Sequence, residues 1–106
     1  MRDSRLREAV EGAILKLFDK VAEICPEAKI RCRPTFIEDY DVKVEVIVPD
    51  GTPEEVEEKI EDAGVDVQDE TGVKILLGIW EETEYDRMMR RIEEEERRWR
   101  TSRRGS

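Results

Sequence analysis

Residues 42–55 read Val42-Lys43-Val44-Glu45-Val46-Ile47-Val48-Pro49-Asp50-Gly51-Thr52-Pro53-Glu54-Glu55, and this stretch decides the fold class. Its first half alternates. Val42, Val44, Val46 and Val48 fall on one side, Lys43, Glu45 and Ile47 on the other, which is the period of a strand with one buried face. Pro49-Asp50-Gly51 is a turn signal. Thr52 then reads as a helix N-cap, Pro53 as the first helical residue, and Glu55 as the partner that closes a capping box. The spacing of Val56, Ile60 and Ala63 carries this helix to about Ala63, with Gly64 as the residue that ends it.

Upstream, residues 29–37 read as a second strand. Ile30, Cys32 and Phe36 alternate with Arg31, Arg33 and Thr35. Pro34 has no N–H for a ladder, which places this strand at a sheet edge. A turn at 38–41 joins the two strands as a hairpin, and matching their apolar faces pairs Cys32 with Val46 and Arg33 with Glu45. Before it, residues 5–25 predict a helix, capped by Ser4 and stopped at Pro26. Its stripe is Leu6, Val10, Ala13, Ile14, Leu17, Val21, Ile24 and Cys25. Leu15, Phe18 and Ala22 widen that stripe, which implies a second contact with a helix or another subunit.

Downstream, residues 65–68 and 73–80 read as a second hairpin, closed by Glu70-Thr71-Gly72 with Gly72 left-handed. A third helix begins near Thr83, with Asp86 as a capping partner. Tyr85, Met88, Met89, Ile92 and Trp99 share one side of it. Glu93–Arg97, Glu94–Arg98 and Glu96–Arg100 are i,i+4 pairs that sustain a solvated helix. The expectation is therefore an α+β fold with a four-stranded mixed sheet in α-ββ-α-ββ-α order and helices mainly on one face. Residues 1–96 form one domain, and 97–106 a basic C-terminal arm, partly helical or frayed.

At 106 residues and net charge −9, the chain is one domain with a heavily ionised surface. The charge is uneven: +2 over residues 1–37, −12 over 38–70, −4 over 71–96 and +5 over 97–106. An acidic body disfavours nucleic acid everywhere except at the basic end. There is no His, no Asn and a single Gln, Gln68, while Arg outnumbers Lys by 13 to 6. This composition fits a thermophilic protein, and it also fits a designed scaffold without natural function. Lack of His removes the usual general base and the commonest metal ligand. The three Ser residues, Ser4, Ser102 and Ser106, lie near the ends, so no Ser-His-Asp site can be assembled within the chain. No long apolar run predicts a membrane span, and the N-terminal residues lack a signal peptide's apolar core, so a cytoplasmic location is expected.

No catalytic residue, metal ligand or cofactor is predicted, and the chain reads as not an enzyme. Cys25 and Cys32 fall on expected core faces; two buried thiols is the simplest reading, a disulfide between them the alternative. Glu38, Asp39 and Asp41, like Asp66, Asp69 and Glu70, read as solvated turn acids. Ile47, Leu76, Trp80, Tyr85 and Met89, with Ile37 and Tyr40 nearby, supply apolar surface on the second sheet face. Either the third helix covers it or a subunit does. The leading expectation is a small interaction and assembly domain, a homo-oligomer and most simply a dimer, open to another protein partner. The alternative is an accessory nucleic-acid-binding module acting through Arg97, Arg98, Trp99 and Arg100.

Overall fold

A computed structural model describes residues 4–33, 35 and 38–104, with side chains from residue 7 to residue 100. Its elements are α1 (Ser4–Ile24), β1 (Lys29–Arg33), β2 (Val42–Val48), α2 (Glu54–Thr71), β3 (Ile75–Glu81) and α3 (Glu82–Arg104). The fold is α+β: three helices and a three-stranded mixed sheet, in α-ββ-α-β-α order. Strand order is β1-β2-β3. β1 pairs antiparallel to β2 and lies at an edge, as its sequence predicts; β2 and β3 are parallel, joined through α2. Pro34, Phe36 and Ile37, and the Ser4 capping side chain, fall outside the described residues or side chains.

The valine face of β2 makes the core. Val42, Val44, Val46 and Val48 pack with Ala13, Leu17 and Val21 of α1, Ile60, Ala63 and Val67 of α2, and Val73 and Ile75. α1 and α2 lie side by side over this face. Lys16 and Lys20 of α1 meet Glu70 of α2 at 3.8 and 3.4 Å across their outer seam.

Four sequence expectations are corrected. The expected strand 65–68 is helix, so the sheet has three strands and not four. α2 runs through Gly64 to Thr71. Val67 is the next buried position on the Ile60–Ala63 stripe, and Val65 faces solvent. Gly64 serves close packing: a Cβ there would stand 2.9 Å from Leu77 Cδ2 on β3. The helix ends one step beyond Thr71, where Gly72 has φ +73° and its N–H donates to the Gln68 carbonyl at 2.8 Å. The left-handed conformation expected of Gly72 is present, as a helix terminus and not a hairpin loop. Gln68 also accepts from the Ile75 N–H at 2.9 Å through its side chain, tying the end of α2 to the start of β3.

The hairpin register is shifted by two residues. Arg31 stands opposite Glu45, Cys32 opposite Val44, and Arg33 opposite Lys43. A slip of two keeps every side chain on its expected face, so apolar matching cannot detect it. Thr52 is not the cap of α2 either. Pro53 occupies that position without a side-chain cap bond, and the Thr52 hydroxyl donates to the Pro49 carbonyl at 2.6 Å, closing the turn. Finally, α3 crosses the sheet face opposite α1 and α2, so helices cover both faces.

Gly72→Ala is expected to lower the unfolding free energy by about 1–2 kcal/mol, because a Cβ is strained at positive φ. There is open space around the position, so the cost is purely conformational. Urea unfolding that shows no change would contradict the left-handed terminus.

Candidate functional site

The second sheet face is built from three cross-strand rows. Lys29, Ile47 and Trp80 form one, Arg31, Glu45 and Gly78 the next, Arg33, Lys43 and Leu76 the third. α3 leaves the end of β3 and runs diagonally back over these rows. Tyr85 is its anchor, 5% exposed. Its ring meets the Trp80 indole edge-on at 6.4 Å and lies 5.7 Å beneath the Arg31 guanidinium. Arg33 Nη2 donates to the Tyr85 hydroxyl at 3.3 Å and approaches Met89 Sδ at 3.9 Å.

Glu45 sits at the centre of this face, 2% exposed. Lys43 Nζ reaches its Oε1 at 3.4 Å, while Oε2 accepts no hydrogen bond among the described residues. Arg31, opposite Glu45 in the ladder, is turned toward the Tyr85 ring. Burying a carboxylate is tolerated only beside compensating charge, and Arg31, Arg33 and Lys43 make this face cationic in an otherwise acidic protein. Sequence reasoning placed Glu45 only in a cross-strand pair with Arg33 and did not foresee its burial. Its signal was present as the one acid in a run of valines.

Two carboxylates clamp the ends of the β2–β3 pair. Asp41 accepts from the Lys74 N–H at 2.9 Å and its own N–H donates to the Lys74 carbonyl at 2.8 Å. At the other end Asp50 accepts from the Thr83 N–H at 2.9 Å and from the Thr83 hydroxyl. Asp50 thus satisfies one of the open N–H groups at the start of α3, in place of the expected Thr83–Asp86 pair. These bonds hold the Asp50 carboxyl below its ordinary value. A group with a lowered folded pKa stabilises above its unfolded pKa, and the contribution is lost as pH falls through the folded one. The expected outcome is that Asp50→Asn lowers the melting temperature near neutral pH. The difference from the parent shrinks as pH drops below the ordinary Asp range. A constant difference across that range would contradict the clamp.

Of the residues expected at an interface, Ile47 and Tyr85 are buried within the chain, and Leu76 and Trp80 of β3 and Met89 of α3 are half-buried. Tyr40 is exposed in the β1–β2 connection. Arg97, Arg98, Trp99 and Arg100 lie on the distal half of α3, which is helical to Arg104. From Arg90 to Arg100 every residue of α3 is exposed. A 23-residue helix is about 34 Å long, and only its first two turns touch the sheet. The radius of gyration, 16.4 Å, exceeds the roughly 13 Å of a compact chain this size, which agrees with a projecting helix.

Cys25 and Cys32 are free thiols, half-buried and exposed respectively; partial desolvation on β1 pushes the Cys32 thiol up. Among the described residues no cluster of three Cys, Asp or Glu is placed to hold a metal ion, and no helix is long and apolar enough to cross a membrane. Comparisons with protein-family models, curated proteins and solved structures give no match to this chain.

Proposed function

We propose that the chain is a small non-enzymatic interaction domain that associates with itself, in the first instance as a dimer. One observation carries this reading. The apolar side of α3 continues past the body, with Ile92 41% and Trp99 62% exposed. Met88 and Ile92 share one shallow hollow, flanked by Arg91, Glu95 and Glu96. An apolar row framed by charge is the ordinary form of a helix-pairing surface. Leu76, Trp80 and Met89 extend the same surface onto the sheet. Light scattering on the full chain at micromolar concentration and above should return twice 12.5 kDa. A mass that stays monomeric at every concentration would overturn the proposal.

A second reading takes the tip of α3 as a nucleic-acid contact. It is favoured by the exposure of Trp99 among Arg97, Arg98 and Arg100. It requires retention on nucleic acid that weakens steeply with salt and disappears on truncation after Glu96.

A further inference from the structure

We infer that the outer edge of β3 is a docking site for an extended, basic segment of another protein, which adds to the sheet as a fourth strand. This goes beyond the self-association reading, which rests on α3, and does not depend on it. The order β1-β2-β3 leaves β3 paired on one side only among the described residues. The Lys74 carbonyl accepts from the Val42 N–H at 3.4 Å, and Val42 stands opposite Ile75 in the parallel register. Backbone direction alternates along a strand. Lys74, Leu76, Gly78 and Trp80 therefore turn their N–H and C=O groups to β2, and Ile75, Leu77, Ile79 and Glu81 turn theirs outward. The Ile75 N–H is taken by Gln68 Oε1 at 2.9 Å. Those of Leu77 and Ile79 have no partner among the described residues. Residues 75–80 carry no charge, and Leu76 to Trp80 are half-buried. The opposite edge is guarded: β1 exposes Lys29, Arg31 and Arg33, and the chain continues into Pro34, both of which discourage pairing. A row of free backbone groups is satisfied by an extended chain, and side-chain contacts set which chain.

α2 sets the charge of that chain. Glu57, Glu61, Gly64 and Gln68 recur at three and four residues and share one side of the helix. Gly64 lies against Leu77, and Gln68 reaches the outward N–H of Ile75, so this side overhangs the open edge. α1 occupies the other flank, where Lys16 and Lys20 meet Glu70. A strand added beside β3 turns alternate side chains toward Leu77 and Ile79, beneath Glu57 and Glu61. Lys or Arg suits those positions, with its stem on the apolar pair and its charge at the acids. The side chains between them lie beside Leu76 and Trp80 and are apolar. A second copy of β3 brings no such cations. Its own residues 75–80 are uncharged, and a two-fold axis at the edge would bring two sets of Glu57 and Glu61 together.

The test uses the full chain and a synthetic peptide as long as β3, seven residues, in which Lys and Val alternate. A second peptide has Glu in place of Lys. Amide hydrogen exchange, followed residue by residue by NMR, reads the edge. In the free chain Leu77 and Ile79 should exchange fast, and Leu76 and Gly78 slowly. The Lys peptide should slow Leu77 and Ile79 about tenfold or more, and the Glu peptide should leave them unchanged. Glu57→Lys combined with Glu61→Lys, both on the outer side of α2, should reverse the preference between the two peptides. Ile79→Pro removes one outward N–H and no bond of the β2 ladder, and should weaken binding of the Lys peptide about tenfold. Equal response to the two peptides in both the parent and the charge-reversed chain would overturn the choice of a basic partner. Unchanged exchange at Leu77 and Ile79, or parent-like binding to Ile79→Pro, would overturn the docking site. Protection of these two amides in the free chain that grows with protein concentration would put a second copy on the edge, and would overturn the inference as well.

Discussion

Val67→Asp is expected to unfold the domain, while Val65→Asp leaves its stability within about 0.5 kcal/mol. Both valines precede Gly72, and an alternating reading would bury them together. In the structure they stand two residues apart in one helix and so point to opposite faces of it. Val67 is 0% exposed within the core of α2, α1 and the valine face, and Val65 is 53% exposed. An aspartate at 67 would place an uncompensated charge among Ile60, Ala63 and Ile75, with a cost above about 4 kcal/mol. At 65 it would stand in water among the acids of α2 and only add to local repulsion. Urea unfolding of the two variants separates helix from strand without further structural work. Equal, severe losses would return residues 65–68 to the sheet.

Tyr85→Ala is expected to cost about 3–5 kcal/mol, the range for truncating a buried aromatic, and to free α3 from the sheet. The ring holds three partners at once, the Trp80 edge, the Arg31 guanidinium and Arg33. Tyr85→Phe removes only the hydroxyl and its single bond from Arg33, worth about 1 kcal/mol. Stability by chemical denaturation, with Trp80 fluorescence as the local probe, distinguishes the two variants. If alanine and phenylalanine behave alike, the ring is not the anchor of α3.

Both predictions bear on where local pattern stopped being informative. α1 and β2 were legible because each rests on periodicity within one segment; the parallel pairing of β2 with β3 was not, because the sequence reading set a strand at 65–68 between them, where the chain is helix. Val42 through Val48 alternate whatever surrounds them, and the stripe of α1 is unbroken from Val10 to Ile24. The edge position of β1 followed from a single missing N–H at Pro34. The second sheet face was only partly legible: of the five side chains expected to be open on it, Ile47 and Tyr85 are buried and Leu76, Trp80 and Met89 are half-buried.

What the sequence by itself determined is which residues are helical or extended over most of the chain, which face of β2 is apolar, and that β1 lies outside. Tertiary structure decided the remainder. Gly64 is as good a terminus as a helix interior until Leu77 stands 2.9 Å from its absent Cβ; the neighbour across the layer makes glycine the residue that fits. The two-residue register preserves both faces, so only longer-range contacts can select it, and in the folded chain Arg33 reaches Tyr85 from the shifted position. Asp50 caps α3 from a loop 33 residues away, beyond the reach of a capping pattern that spans three or four. Local periodicity reports how a segment can bury one side. It carries no information about which other segment arrives there, and that is settled by packing the whole chain.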